Sequence, residues 1–367
     1  MHLTKEEQIF SIYFIPLFIL KILDITSENW VLKGIGVLCI LLFFLNTINT
    51  KYDTKTFNFF LVLLSFSMVL VFTTGKQGIF FSVVMLLAMN GIQANYRIYK
   101  ICFYLGLVFL LAACIANSKG SEVTRFINGE WVSMLKRSNL LFVSFTAVLS
   151  LYLFIYKERL NKGRILILYI VCYLMYTYVG SRTGLLAVFF LLMLISLLRI
   201  KQISNITVIK YSCYLFPLFC LLFCVYSGWQ YNNSAFLQLL DMMLQGRITQ
   251  NNAYFERYDI SLFGQPIYES TNVNDYWVLD CAYMDMLICS GLIFTVLWII
   301  LNIYTIRFFY RRNKMVEVSI LMMYALYGIT ETFLPNCFLN MSFFLYAEYL
   351  YKTVPKNKTS LSSNSHE

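Results

Sequence analysis

Gly180-Ser181-Arg182-Thr183-Gly184 separates two apolar runs, Ile165–Val179 and Leu185–Leu198, and neither run holds a charged residue. A membrane helix takes about 20 apolar residues, with a range of roughly 17–25. The two runs therefore read as short membrane helices joined by a turn that carries an arginine at the membrane surface. Such an arginine either snorkels to the lipid headgroups or meets an anion brought to the surface.

The rest of the chain agrees with a membrane setting. Of its 367 residues, 59% are hydrophobic and 13% charged, and the mean hydropathy is +0.66. A soluble domain cannot hide that much apolar surface. No stretch is polar enough for a separate globular domain, so 1–351 is expected to form one polytopic domain. No small-residue cleavage site follows the first apolar segment, so it is not expected to be a cleaved signal. The net charge of +10 is spread over short loops, which argues against nucleic acid as a partner. The ten cysteines fall almost entirely in apolar runs and read as small core residues. Cys220 and Cys224 share a helix face, but the only histidines are His2 and His366, so neither a zinc site nor any other metal or cofactor is expected.

Apolar patterning predicts twelve transmembrane helices, over 8–23, 31–48, 57–74, 78–94, 101–118, 139–156, 165–180, 184–199, 208–229, 280–304, 316–331 and 337–351. Placing the N terminus in the cytoplasm puts about 19 Lys and Arg on the inside against about 8 outside, which satisfies the positive-inside rule. Both termini are then cytoplasmic. The polar tail 352–367 is expected to be disordered. Two outside loops are long. Residues 119–138 mix apolar residues with charges and suggest a short interfacial helix. Residues 230–279 form the largest loop, with Ser234 as N-cap of a short apolar helix over 235–244, Gly246 as its end, and a second helical stretch over 248–258. No internal repeat of the kind common in transporters is present.

Three outside arginines stand out: Arg182, Arg247 and Arg257. None has a carboxylate three or four positions away, where a helical partner would sit. Each must find water, a distant acid or a ligand; for Arg247 and Arg257 a solvated loop face is the plain alternative. On a straight helix, Arg247 and Arg257 would lie about 15 Å apart and would suit two different anionic groups. Asp280 and Glu331 lie where apolar helices meet the outside surface, and an acid there is costly unless paired or used. Asp280 has a second reading as the N-cap of its helix. Asp285, one turn on, reads as a packing or pairing residue. Tyr254, Tyr258 and Tyr283 are of a type that stacks on sugar rings.

Several pieces fall in a recognisable order. Gly180-Ser181-Arg182-Thr183-Gly184-Leu185-Leu186 opens a membrane helix. Gly246-Arg247 and then Leu262-Phe263-Gly264-Gln265 follow in the large loop. Leu279-Asp280-Cys281-Ala282-Tyr283 leads to Ser290-Gly291-Leu292-Ile293-Phe294, and Glu331-Thr332-Phe333-Leu334-Pro335-Asn336 links the last two helices. Over roughly 165–350 this resembles the Wzy-type O-antigen and capsule repeat-unit polymerases, especially those of Gram-positive exopolysaccharide clusters. Cys281 stands where many relatives carry asparagine. The large loop lacks the histidine that the related O-antigen ligases are thought to use.

The resemblance implies a metal-independent glycosyltransferase of the multi-helix, GT-C-like type in a bacterial cell membrane. Its implied substrates are undecaprenyl-pyrophosphate oligosaccharides at the outer face. Arg182, Arg247 and Arg257 are implied as pyrophosphate-binding, and Asp280 and Glu331 as candidate catalytic bases. Membrane lipid, a flippase and a chain-length regulator are the implied partners. The rival readings are a flippase or transporter of the same lipid-linked sugars, a ligase-like transferase, and a non-catalytic scaffold.

Overall fold

A computed structural model describes residues 5–22, 54–75, 78–90, 96–118, 123–127, 130–134, 138–272 and 275–352. The expected helix over 31–48 and the tail 353–367 lie outside the described residues. The chain is an α-helical membrane protein. Among the described residues, six helices are long and apolar enough to cross a membrane: Phe57–Thr74, Arg97–Ile115, Asn139–Arg159, Lys162–Val179, Thr207–Asn233 and Ala282–Arg311. Shorter apolar helices occupy Phe10–Ile22, Gly78–Ala88, Arg182–Leu198 and Met315–Tyr327, and a last helix runs over Ser342–Lys352. The 162–179 helix shows its character at its surface, where Leu166, Ile167, Ile170, Tyr173 and Leu174 are all more than half exposed. Apolar surface of that extent suits lipid rather than water.

One expectation is overturned. The interfacial helix expected in 119–138 is instead an antiparallel hairpin, Val123–Ile127 with Glu130–Met134. β-branched and aromatic residues (Val123, Thr124, Phe126, Ile127, Trp131, Val132) favour a pleated strand over a helix. A second small hairpin pairs Ser270–Asn272 with Asp275–Trp277. The fold is therefore helical with two hairpins added, not wholly α.

The bundle is organised around the helix that Arg182 opens. Gly180 takes a left-handed φ of 80°, which ends the preceding helix, and its N–H donates to the Tyr176 carbonyl. The Ser181 hydroxyl then caps the next helix by accepting from the Gly184 N–H. Gly184 is buried where a Cβ would lie 2.3 Å from the Phe142 ring and 2.7 Å from the Tyr327 hydroxyl. Lack of a side chain at 184 thus lets the 138–156, 182–198 and 315–327 helices converge. Polar groups inside the bundle are tied across helices: Tyr346 donates to Asn302 Oδ1 at 2.8 Å, and the Ser150 and Tyr324 hydroxyls meet at 3.3 Å.

Charges close the opposite, expected cytoplasmic end. Lys157 pairs with Glu317 and Lys314 pairs with Glu348 at 2.9 Å; both carboxylates are almost wholly buried. The Arg199 guanidinium donates to the Leu160 carbonyl nearby.

Candidate active site

At the other end, the large loop folds back over the bundle. Ser234 caps the Ala235–Met243 helix through its hydroxyl, and Gln245 and Gly246 both take positive φ, 58° and 81°. Two successive left-handed residues reverse the chain sharply into the Arg247–Arg257 helix. Glycine at the N-cap has no side chain to satisfy the first N–H groups. Asp241, one helix earlier, supplies the cap: its carboxylate accepts from the Ile248 N–H at 2.7 Å, the Thr249 N–H at 3.3 Å and the Thr249 hydroxyl. A buried carboxylate at a helix N terminus is also favoured by the helix dipole.

The capped helix then lies across the end of the 207–230 helix. A Cβ on Gly228 would sit 2.9 Å from Phe255, and Asn252 donates to the Gly228 carbonyl at 3.0 Å. This fixes Arg247 in the first turn and aims it inward. Its guanidinium contacts the Asp280 carboxylate and lies 4.0 Å from Glu331. All three side chains are largely enclosed, 11% exposed for Arg247, 13% for Glu331 and 21% for Asp280.

The two acids arrive on irregular backbone. Asp280 just precedes the helix that begins at Ala282. The N-cap position belongs to Cys281, no side chain caps that end, and the Ala282 N–H donates instead to the Gly328 carbonyl at 2.9 Å. The reading of Asp280 as an N-cap is thereby corrected: the carboxylate is turned to Arg247. Glu331 sits in a compact, non-helical turn, 328–341, held by Asn340, which donates to the Leu334 carbonyl and accepts from the Ser342 N–H. Burial pushes the Glu331 carboxyl up to about 8; Arg247 pulls against this, and the nearby Asp280 charge adds to it.

A further contact unites two of the quoted motifs. The 282–311 helix is interrupted by a π-type stretch, Met286–Ser290, and a φ of 86° at Gly291. The loop at 261–264 docks into the break. The Leu292 N–H donates to the Ser261 carbonyl at 2.9 Å and the Ile293 N–H to the Leu262 carbonyl at 3.3 Å. Gly264 and Gly291 touch backbone to backbone: a Cβ on Gly264 would lie 2.0 Å from the Cys289 carbonyl, and one on Gly291 would lie 2.4 Å from the Gly264 nitrogen. Irregular backbone at this depth is tolerated because protein covers it.

The sequence-derived site residues thus separate. Arg247, Asp280 and Glu331 come together. Arg182 is exposed at the start of its own helix, with no ion pair among the described residues. Arg257 ends an unbroken eleven-residue helix, about 15 Å along the axis from Arg247, and is exposed. The tyrosines are packing residues. Tyr254 and Tyr283 are 1% exposed, Tyr283 donates to the Ala325 carbonyl, and Tyr258 stacks on Tyr254 while accepting from the Tyr268 N–H. Asp285 is buried. No disulfide joins the described cysteines.

No family model, characterised protein or solved structure matches this chain. The site must therefore be read from its own chemistry. Two of its buried atoms have no hydrogen-bond partner among the described residues: Arg247 Nε and Glu331 Oε1. Buried polar atoms are nearly always satisfied in a resting fold. A guanidinium donor and a carboxyl oxygen left open beside each other are equipped for a ligand that carries both an oxyanion and hydroxyl groups.

Proposed function

We propose that the protein is a polysaccharide repeat-unit polymerase acting on undecaprenyl-pyrophosphate oligosaccharides at the outer face of a bacterial cell membrane. The observation that carries the reading is the enclosed Arg247 between Asp280 and Glu331, with unfilled hydrogen-bonding atoms around it. In this reading the described helices belong to a twelve-span, GT-C-like bundle with both termini in the cytoplasm, and the 230–279 loop is extracytoplasmic.

The chemistry needs little from the protein beyond placement and charge. The acceptor hydroxyl oxygen forms a bond to the anomeric carbon of the donor. The bond from that carbon to the pyrophosphate oxygen breaks, and the electron pair leaves with the pyrophosphate. The hydroxyl proton passes to a carboxylate. Asp280, the more exposed of the two acids, is assigned as that base. Glu331, raised to about 8, holds its proton at neutral pH and donates a hydrogen bond to the departing pyrophosphate. Arg247 uses the donors not taken by Asp280 to stabilise the charge that develops on the leaving oxygens. Enclosure strengthens these contacts relative to water. Arg182 is assigned to the same lipid-linked anion at the membrane surface, and Arg257 to the second, acceptor-side phosphate.

The test is a purified protein supplied with a synthetic undecaprenyl-pyrophosphate repeat unit and read on a gel. A ladder of oligomers supports the reading. Movement of labelled lipid across proteoliposomes without a ladder replaces it with a flippase.

A further inference from the structure

Charge also collects without a partner at the end of the bundle opposite the Arg247 site. There Tyr310, in the last turn of the 282–311 helix, donates to the Ser204 carbonyl and ties that end to the start of the 207–230 helix. Three cations stand at the junction. Arg307 and Arg311 lie close enough to Tyr214 for their charges to act on its hydroxyl. Lys210 Nζ is 5.9 Å from the centre of the Tyr211 ring, which in turn meets the Tyr214 ring. None of the three has an ion pair among the described residues, because the buried carboxylates at that end, Glu317 and Glu348, are taken by Lys157 and Lys314. The arrangement is costly as it stands. Arg307 and Arg311 are four apart on one helix face, where like charges repel. The helix dipole favours a cation in the last turn, which accounts for Arg311, but disfavours Lys210 in the first turn of its own helix.

Tyr214 adds an unused donor. The residue is 6% exposed and packs edge-on against Tyr310 at 5.5 Å, yet its hydroxyl is buried with no hydrogen-bond partner among the described residues. Buried polar atoms are nearly always satisfied. Two apolar stripes lead away from this point along the bundle. Val208, Tyr211 and Leu215 form one, and Val296, Ile300 and Tyr304 the other, all 37–73% exposed. Arg307 and Arg311 continue the second stripe in helical register. Three cations and a hydroxyl at the head of two hydrocarbon-facing stripes complement an amphiphile whose head is an oxyanion with no cation of its own.

We propose that this junction binds the headgroup of an anionic glycerophospholipid of the phosphatidylglycerol type, in the leaflet opposite the Arg247 site. Arg307 and Arg311 are about 6 Å apart along the helix axis, within reach of one phosphodiester for two guanidinium forks. Lys210 meets the same charge from the facing helix. The Tyr214 hydroxyl donates to a phosphate oxygen once the exposed arginines turn outward to the ligand. Selection is by the charge of the head, and the acyl chains lie along the stripes without a demand on their length. A zwitterionic head would bring an ammonium to three cations and is disfavoured. The bound phosphate relieves the repulsion within the cluster and joins the ends of the two helices. The proposal is independent of the polymerase reading and stands whether or not the protein makes polymer.

The experiment uses the full chain in phosphatidylcholine nanodiscs doped with a phosphatidylglycerol that carries a diazirine at the head end of one acyl chain. Labelled peptides are mapped by mass spectrometry. The expected label concentrates on 207–215 and 300–311. Excess unlabelled phosphatidylglycerol abolishes it, while added phosphatidylcholine, or glycerol phosphate free in solution, does not. Near a membrane surface each cation is worth about fivefold in affinity for an anionic lipid, so Arg307→Gln and Arg311→Gln together cut labelling about 25-fold. Both side chains are exposed, so the double variant keeps its fold. Tyr214→Phe removes only the hydroxyl and cuts labelling about tenfold. The label on the unmutated protein decides the question even if a variant folds poorly. Equal labelling by a phosphatidylcholine with the same diazirine overturns the proposal, as does label spread as strongly over the basic loop 157–164; either leaves the arginines reaching headgroups without selecting one. Suppression by glycerol phosphate overturns it in favour of a soluble anion.

Discussion

Asp241→Ala tests a residue that positions Arg247 by capping its helix rather than by contacting its guanidinium. The substitution removes acceptors for two backbone N–H groups and one hydroxyl at the start of the 247–257 helix. Loss of an N-cap costs about 0.5–2 kcal/mol, and loss of an enclosed charge at a helix N terminus up to about 2 kcal/mol. The Ile248 N–H, on a residue 1% exposed, would be left buried without a partner, at about 1–3 kcal/mol. These costs overlap, so the helix should lose about 2–4 kcal/mol of local stability. At 1.4 kcal/mol per tenfold, amide hydrogen exchange in 250–257 should accelerate about 30- to 700-fold. The assay is exchange by mass spectrometry in nanodiscs, with the membrane helices as internal reference. Asp241→Asn keeps one acceptor and loses the charge, so it should fall between. Polymerisation should drop with kcat more than KM, because Arg247 is then ordered in fewer molecules. Unchanged protection of 250–257 in a normally folded variant would refute the capping argument. Equal loss of protection in the membrane helices would show that Asp241 supports the whole fold and not this helix.

Arg247→Ala and Arg182→Ala should each abolish polymer while the protein still reaches the membrane, and Arg→Lys should fail at both sites because an ammonium lacks the forked donor pair; normal polymer length in either alanine variant, or full rescue by lysine, argues against the assigned role. Glu331 titrates near 8 in the folded chain against an ordinary value of 4.5, so between those values the folded state binds more protons and stability falls as pH rises. The unfolding free energy of Glu331→Gln should therefore gain on that of the unmodified protein from pH 5.5 to 8.5, on the order of a few kcal/mol in all, and parallel pH profiles would sink the assignment. Gly264→Ala and Gly291→Ala should each unseat the 261–264 loop, since either Cβ meets backbone and both positions hold positive φ; retained exchange protection at 258–265 would contradict this. Polymer formation should survive EDTA, and strict dependence on an added divalent cation would remove the metal-free mechanism.

The membrane character and most helix positions were legible because apolar runs of fixed length admit few alternatives. Gly180 and Ser181 fell where the turn needed them for the same reason: an αL residue and a capping hydroxyl are local demands written in adjacent residues. The 119–138 hairpin was misread because mixed apolar and charged residues fit an interfacial helix on composition, while β-branching in Val123, Thr124, Ile127 and Val132 was the stronger local signal. The pairing of Asp280 was not legible, and its second reading as a cap stayed open, because its partner in space, Arg247, lies 33 residues earlier in sequence and no local rule reaches that far.

Asp241 shows where such a signal was available. It is the only charge in the 235–243 helix and falls four residues after Leu237, on the buried stripe rather than the exposed one of Phe236, Leu239, Met242 and Met243. A carboxylate on the inward face of an apolar helix must have donors, and the nearest uncapped donors in sequence are those behind Gly246, which has no side chain to serve them. The pattern of a buried acid followed by a glycine N-cap therefore predicts a cap supplied from the preceding helix. In this chain one short helix joins two properties: an exposed apolar outward face, and an inward carboxylate that caps the helix carrying Arg247. A charge placed on the outward face, such as Met242→Asp, should accordingly weaken polymerisation without contacting substrate, and the same change at an exposed position of the 162–179 helix should leave the Arg247 helix as protected as before.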